Sequence, residues 1–406
     1  MSITLNKWLK IAFINLLIVS VLGAILRYKI AFSLPFIEQK KILHAHSHFA
    51  FAGWITQALM FLLIKQLKHI SFEKVLAKYK PLLWANLLAA YGMLFTFPWE
   101  GYGLYSILFS TLSVFVSYWF AIVFWKDLNK QAQPKIAYKW FKVAVVLNAI
   151  SSIGAFSLGY LMVSKIMVPK FYLLAIYFFL HFQYNGWFFF ACMGLLMLMM
   201  EDLISDKKKL LQVFYFFLIA AVPAYFLSVL WLNIPFILYL IVLITAILQL
   251  VGWFYIIKII RKNKNIFSKI NSTSKVLFIL SAVALSIKLL LQAFSTIPSL
   301  SQLAFGFRPI IIGYLHLVLL GVITIFLLAY IAAFEITFIS QTLKKGIIVF
   351  VAGIILNELI LMLQGSADLG YVSIPYLNEL LFVVAIILFA GLAIINFSFS
   401  RKNKLQ

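Results

Sequence analysis

LHAHSHFAFAGWITQALMFLLI, residues 43–64, carries three histidines on alternate positions and then not one charged residue as far as Ile64. An uncharged apolar run of about 20 residues is what a helix needs to cross the hydrocarbon of a bilayer. The rest of the chain has the same character. Its 406 residues are 65% hydrophobic and 11% charged, whereas a soluble domain carries roughly a quarter charged residues. Lipid is the solvent that fits. Inside it every backbone N–H and C=O has to be satisfied within the segment, so these runs are read as helices.

About twelve such runs follow one another, near 8–26, 42–64, 81–98, 103–125, 140–163, 171–200, 210–231, 234–257, 275–297, 309–334, 345–365 and 376–398. The fold expected is an all-α polytopic membrane bundle of about twelve transmembrane helices, forming a single integral-membrane domain over 1–406. The run from Trp8 has no small-residue cleavage pattern behind it and reads as a first span, not a signal peptide. No repeat of the inverted transporter kind, no soluble domain and no low-complexity linker stands out.

The net charge of +23 lies in the connections, so it argues for topology and against nucleic acid as a partner. Basic connections follow span two (Lys65, Lys68, Lys74, Lys78, Lys80), four (Lys126, Lys130, Lys135, Lys139), six (Lys207, Lys208, Lys209), eight (Lys258, Arg261, Lys262, Lys264, Lys269) and ten (Lys344, Lys345). Those after three, seven and eleven carry no Lys or Arg, the one after nine only Arg308, and the one after five only Lys165 and Lys170. The positive-inside rule then puts both termini in the cytoplasm, against the single vote of Arg27, Lys29, Lys40 and Lys41 after span one. The lone cysteine, Cys192, supports neither a disulfide framework nor a paired-thiol metal site and reads as a small core residue.

Of six histidines, His69 sits in a basic connection and reads as solvated. The other five fall on spans two, six and ten. With the topology above, His48, His181 and His316 lie roughly 9, 15 and 10 Å below the outer ends of their helices, at about 1.5 Å per residue. An imidazole within a membrane either joins two helices by a hydrogen bond or holds a ligand. Five at one depth favour a haem or metal site, because neutral imidazole is the commonest metal ligand. Helical spacing puts His44 and His48 on one face and His46 on another, continued by Ala50, Gly53 and Gln57.

With these histidines on spans two, six and ten, the chain resembles the haem–copper oxidase superfamily, the catalytic subunit I of cytochrome oxidases and its nitric oxide reductase relatives. The resemblance spans the whole chain in topology and three short stretches in motif. It implies that "HAHSHFAF" supplies a low-spin haem ligand through His44 or His46, and that "GYLHLVLLG" supplies the other through His316. On span six, "LHFQYNGWFFF" puts His181 in the place of a copper ligand, followed by Gln183 and Tyr184. Departures are equally plain. Tyr314 stands where a high-spin haem ligand would be, span seven has no histidine, and the connection after span eleven has no arginine pair for haem propionates. Arg308, with Lys40 or Lys41, is left for that role.

The resemblance therefore implies a low-spin haem between two histidines, an electron-transfer or nitric-oxide- and oxygen-related redox role, and an incomplete copper site built from His181 and the spare His48. Membrane haem and copper proteins of the NnrS type, associated with nitric-oxide stress, resemble the same histidine pattern. A histidine-based metal- or proton-coupled transporter or sensor is the alternative from another class. Partners would be the lipid of a cytoplasmic membrane and a redox protein or further subunits. Lys288 and Glu358 are expected near mid-membrane, as an ion pair between spans nine and eleven or as a stage of a proton path with Tyr184, Asn357, Gln292 and Gln364. Glu100, in the turn "FPWEGYG", is expected to be solvated or to support a haem-site histidine.

Overall fold

Each apolar run is helical in the computed structural model, which describes residues 3–301, 307–334, 336 and 339–402. Twelve long helices follow in order: α1 Ile3–Phe32, α2 Gln39–Ile64, α3 Phe72–Glu100, α4 Leu104–Asn129, α5 Ile136–Val163, α6 Pro169–Met200, α7 Lys207–Ala221, α8 Phe236–Lys262, α9 Ser272–Phe294, α10 Arg308–Phe334, α11 Gln341–Leu369 and α12 Leu377–Lys402. Among the described residues there is no strand. Among the described residues eleven helices are individually long and apolar enough to cross a membrane, or twelve where α7 and the 3-10 turn Pro223–Val229, bent by 49°, count as one span. The outward faces suit lipid: Trp84, Leu88, Phe95 and Trp99 on α3, and Leu108, Phe115, Trp119 and Ile122 on α4, are exposed. The chain is a membrane protein.

Span seven differs from the continuous helix expected over 210–231. Pro223 has no N–H to give and its ring crowds the preceding turn, so the α-helix stops at Ala221. Tyr225 N turns to Val222 O at 3.1 Å, and the carbonyl of Ala221 is released from the ladder.

The chain divides into two compact units, Met1–Phe120 with Leu327–Gln406, and Ala121–Phe326. In the first, α11 and α12 pack along their lengths and α1 lies against α12. Glycines permit the approach: a Cβ on Gly391 would lie 2.5 Å from Phe350 N, and one on Gly346 2.9 Å from Ile395 N. Without a hydrophobic drive between helices in lipid, such small-residue contacts and interhelical hydrogen bonds hold a bundle together. Asn396 Nδ2 donates to Phe13 O at 3.1 Å, one such bond. In the second unit Gly154 does the same for α5 and α6, where a Cβ would lie 2.5 Å from Ala175 O.

Three helices change from α to π winding, and they are the three that carry the membrane histidines. The π stretches are Ala50–Thr56 in α2, Phe182–Phe188 in α6 and Leu317–Thr324 in α10. Each follows the same local sequence, a histidine and then a glycine five residues on: "HFAFAGW" from His48, "HFQYNGW" from His181 and "HLVLLGV" from His316. The element recurs on every fourth helix. Winding to i→i+5 misaligns the α ladder and frees carbonyls. Side chains collect them: Asn15 Nδ2 donates to Gly53 O at 2.6 Å, Asn86 Nδ2 to Ala52 O at 3.0 Å, and Ser281 Oγ to Val322 O at 2.8 Å.

Candidate functional site

In the first unit α2 is helical from Gln39, so the two-faced arrangement of its histidines holds. His46 faces α1. Its Nδ1 meets Val19 O at 3.0 Å and, because a carbonyl only accepts, carries the proton. The ring lies over Gly23, where a Cβ would come within 3.3 Å of His46 Cε1. Nε2 of His46 meets no hydrogen-bonding group among the described residues. Arg27, one helical turn beyond Gly23, projects its charge onto both His46 and Glu358. The sequence reading overlooked Arg27, which shares a face of α1 with Gly23 at the usual i, i+4 spacing.

His44 and His48 face α3 and the turn after it. The His44 ring centroid is 4.6 Å from that of Tyr102 and 5.8 Å from that of Phe97, and the His48 ring stacks on Phe97 at 4.5 Å. Tyr102 is held by a turn in which Gly101 adopts φ 67°, a conformation that favours glycine. Glu100 belongs to that turn. Its Oε1 accepts from Ser106 N at 2.6 Å, capping α4, and Ser106 Oγ donates to Gly101 O at 2.6 Å. Of the two readings of Glu100, solvated or beside a histidine, neither names this turn contact, which occupies Oε1.

In the second unit His181 is 1% exposed. Its Nε2 donates to Ala221 O at 2.8 Å, the carbonyl freed by the bend at Pro223, and its Nδ1 accepts from Asn185 Nδ2 at 3.2 Å. Both ring nitrogens are spent, so a copper ion at His181 would have to displace one of these partners. A cavity with room for about one water lies beside it, lined by Asn185, Gln249, Lys288 and three phenylalanines. Lys288 is 5% exposed and makes no ion pair or hydrogen bond within the described residues. Gln292, one turn along α9, has an Oε1 without a partner there too.

Lys288 shares the small cavity with His181, and Glu358 accepts from Asn357 Nδ2 at 3.1 Å in the field of Arg27. Tyr184 is buried, hydrogen-bonded to Ser228, with its ring 6.4 Å from that of Tyr314. His316 lies two residues beyond Tyr314, its Nδ1 on Ile312 O at 2.8 Å. Arg308 is the first residue of α10 and is exposed. Among the described residues no three His, Cys, Asp or Glu side chains converge as a metal set.

No protein-family model matches the chain, and no curated protein sequence matches it.

Proposed function

We propose that the chain is a haem-binding integral membrane protein of the oxidase subunit I type, acting in electron transfer, with His46 and His316 as the residues that would ligate haem. The observation that carries this reading is shared by the two histidines. Each gives its Nδ1 proton to a backbone carbonyl, Val19 O at 3.0 Å and Ile312 O at 2.8 Å. Second-sphere bonds of this kind fix the tautomer and ring orientation of a ligating imidazole. Two donors suffice for a bis-histidine haem, so the lack of a three-ligand cluster among the described residues does not bear on it. His46 is preferred to His44 because His44 is turned to Tyr102 and Phe97.

A haem bound by His46 and His316 would supply one-electron transfer rather than gas activation. The chain's own part is to hold rings and place charge. Val19 O and Ile312 O set the tautomers, Gly23 lets the His46 ring lie against α1, and Arg27 and Arg308 supply cations for propionates. Both termini are assigned to the cytoplasm by the basic connections, with the histidine-bearing ends of α2, α6 and α10 outward and a cytoplasmic membrane as the setting.

The test is the absorption spectrum of the purified protein. A Soret band with bis-histidine α and β bands is expected, lost in His46→Ala and in His316→Ala and kept in His44→Ala. A colourless protein that retains stoichiometric zinc would overturn the haem reading and favour the transporter one.

A further inference from the structure

We propose that His44 and His48, with Tyr102 beside them, form a separate site for a divalent late first-row metal ion, copper(II) ahead of zinc. It uses none of the residues assigned to haem. The two histidines stand at i and i+4 near the start of α2, so their rings leave the same face one turn apart. Both rings meet the same two aromatic side chains: the centroid distances to Tyr102 are 4.6 and 6.3 Å, and those to Phe97 are 5.8 and 4.5 Å. They therefore converge.

Phe97 is fully buried and forms the floor, while Tyr102 is 44% exposed and leaves the site open on one side. Among the described residues the only polar contact made by either ring is His48 Nε2 to Tyr102 Oη at 3.5 Å, at the limit of a hydrogen bond and cheap to displace. The His44 ring has no hydrogen bond within the described residues. This distinguishes the pair from His46 and His181, whose rings are tied to backbone carbonyls.

The neighbouring charges select the kind of ion. No carboxylate enters the site: Glu100 is engaged in its turn, and Glu38 pairs with Lys41 at 2.7 Å. Lys40 is near enough to act on His44. Hard cations such as calcium and magnesium need oxygen anions and find none here. Copper(II) and zinc bind neutral imidazole strongly, and copper stands at the top of the divalent order. Water would complete the coordination from the open side.

The experiment is a copper(II) titration of the full-length protein in detergent, freed of any affinity tag, followed by electron paramagnetic resonance and chelator competition. One equivalent with nitrogen ligation is expected. His44→Ala and His48→Ala should each weaken binding by at least about ten-fold, since losing even an outer-sphere partner of a ligand costs that much. The double variant His44→Asn with His48→Asn guards against misfolding, checked by an unchanged thermal transition, and should bind no copper. His69→Ala, in the connection after α2, should bind it as the wild type does. Wild-type protein that takes up no copper, or a folded double variant that binds it equally, overturns the proposal. The haem reading fails separately, by loss of the Soret band, and leaves the copper result intact.

Discussion

Glu201, just past the end of α6, caps a different helix, and its removal is the sharpest test of the packing in the second unit. The first backbone N–H groups of α5, those of Ile136 and Ala137, both donate to Glu201 Oε2, at 2.8 and 3.3 Å. Lys135, the residue before them, has no capping side chain of its own to offer. The other oxygen, Oε1, has only Lys135 Nζ near it at 3.5 Å, and that ammonium is already bound to Asp202 at 2.7 Å. With the Glu201 side chain 3% exposed, Glu201→Ala leaves two N–H groups without an acceptor, at about 1 kcal/mol each. A loss of about 2 kcal/mol is expected in thermal unfolding of the detergent-solubilised protein.

Glu201→Gln separates the hydrogen bonds from the charge. Burial raises the Glu201 carboxyl above its ordinary value, and the N–H of Ala137, the charge of Lys135 and the N–H of Ile136 only partly oppose it. A carboxyl whose folded pKa lies above its unfolded one stabilises most fully below the unfolded value, and that contribution is lost as pH rises through the folded value. The amide keeps an oxygen for both N–H groups and carries no charge. At pH 8 the Gln variant should therefore match or exceed the wild type, and the wild type should gain on it as pH falls through the carboxylate range. If Gln proves as damaging as Ala at pH 8, or Ala costs nothing, the capping argument fails.

Three further expectations rest on other contacts. Gly23→Leu brings side-chain atoms into the space of the His46 ring, which a Cβ alone already approaches to 3.3 Å; the Soret-to-protein ratio should fall while the thermal transition remains, and an unchanged ratio would remove His46 from the haem reading. Gly154→Leu should collapse the folded yield, because its Cβ meets Ala175 O at 2.5 Å, whereas Gly159→Leu on the same helix has nothing within 4 Å and should be tolerated, as size-exclusion profiles can show. Asn86→Leu removes the donor to Ala52 O at 3.0 Å and to Gln57 Oε1 at 2.7 Å; interhelical bonds in membranes average about 0.6 kcal/mol, so a loss of about 1 kcal/mol is expected, and stability equal to the wild type would show that the freed carbonyl needs no partner.

The spans were legible because apolar length is a one-dimensional property, and so was the division of His44 and His48 from His46, which follows from helical spacing within one element. Direction relative to neighbours was not. Lys288 shares a cavity with His181 of α6, and Glu358 of α11 is in the field of Arg27 of α1, neighbours that no count along the chain identifies. Arg27 was visible only as a topological exception. Pro223 could be read as a breaker, yet its consequence, a free Ala221 carbonyl taken by His181, requires knowing which helix stands opposite.

The π stretches join the local and the tertiary levels. In i→i+5 winding a residue lies roughly one turn above the fifth residue on, so the histidine and glycine of each element are stacked, and the glycine clears the ground beneath the imidazole's turn. What fills the clearing differs. A Cβ on Gly186 would meet Leu147 Cβ at 2.8 Å, one on Gly321 would meet Ala284 Cβ at 3.2 Å, and one on Gly53 would meet the Phe49 ring of its own helix at 2.7 Å. On α6 and α10 a neighbouring helix closes in, while on α2 the helix packs on itself and spends its freed carbonyls on Asn15 and Asn86. The same five-residue step therefore supports three different surroundings for its histidine. That is why His181 can be a buried hydrogen-bonding residue while His48 stays partly open: the repeat fixes where an imidazole leaves its helix, and the neighbouring helices decide what it does.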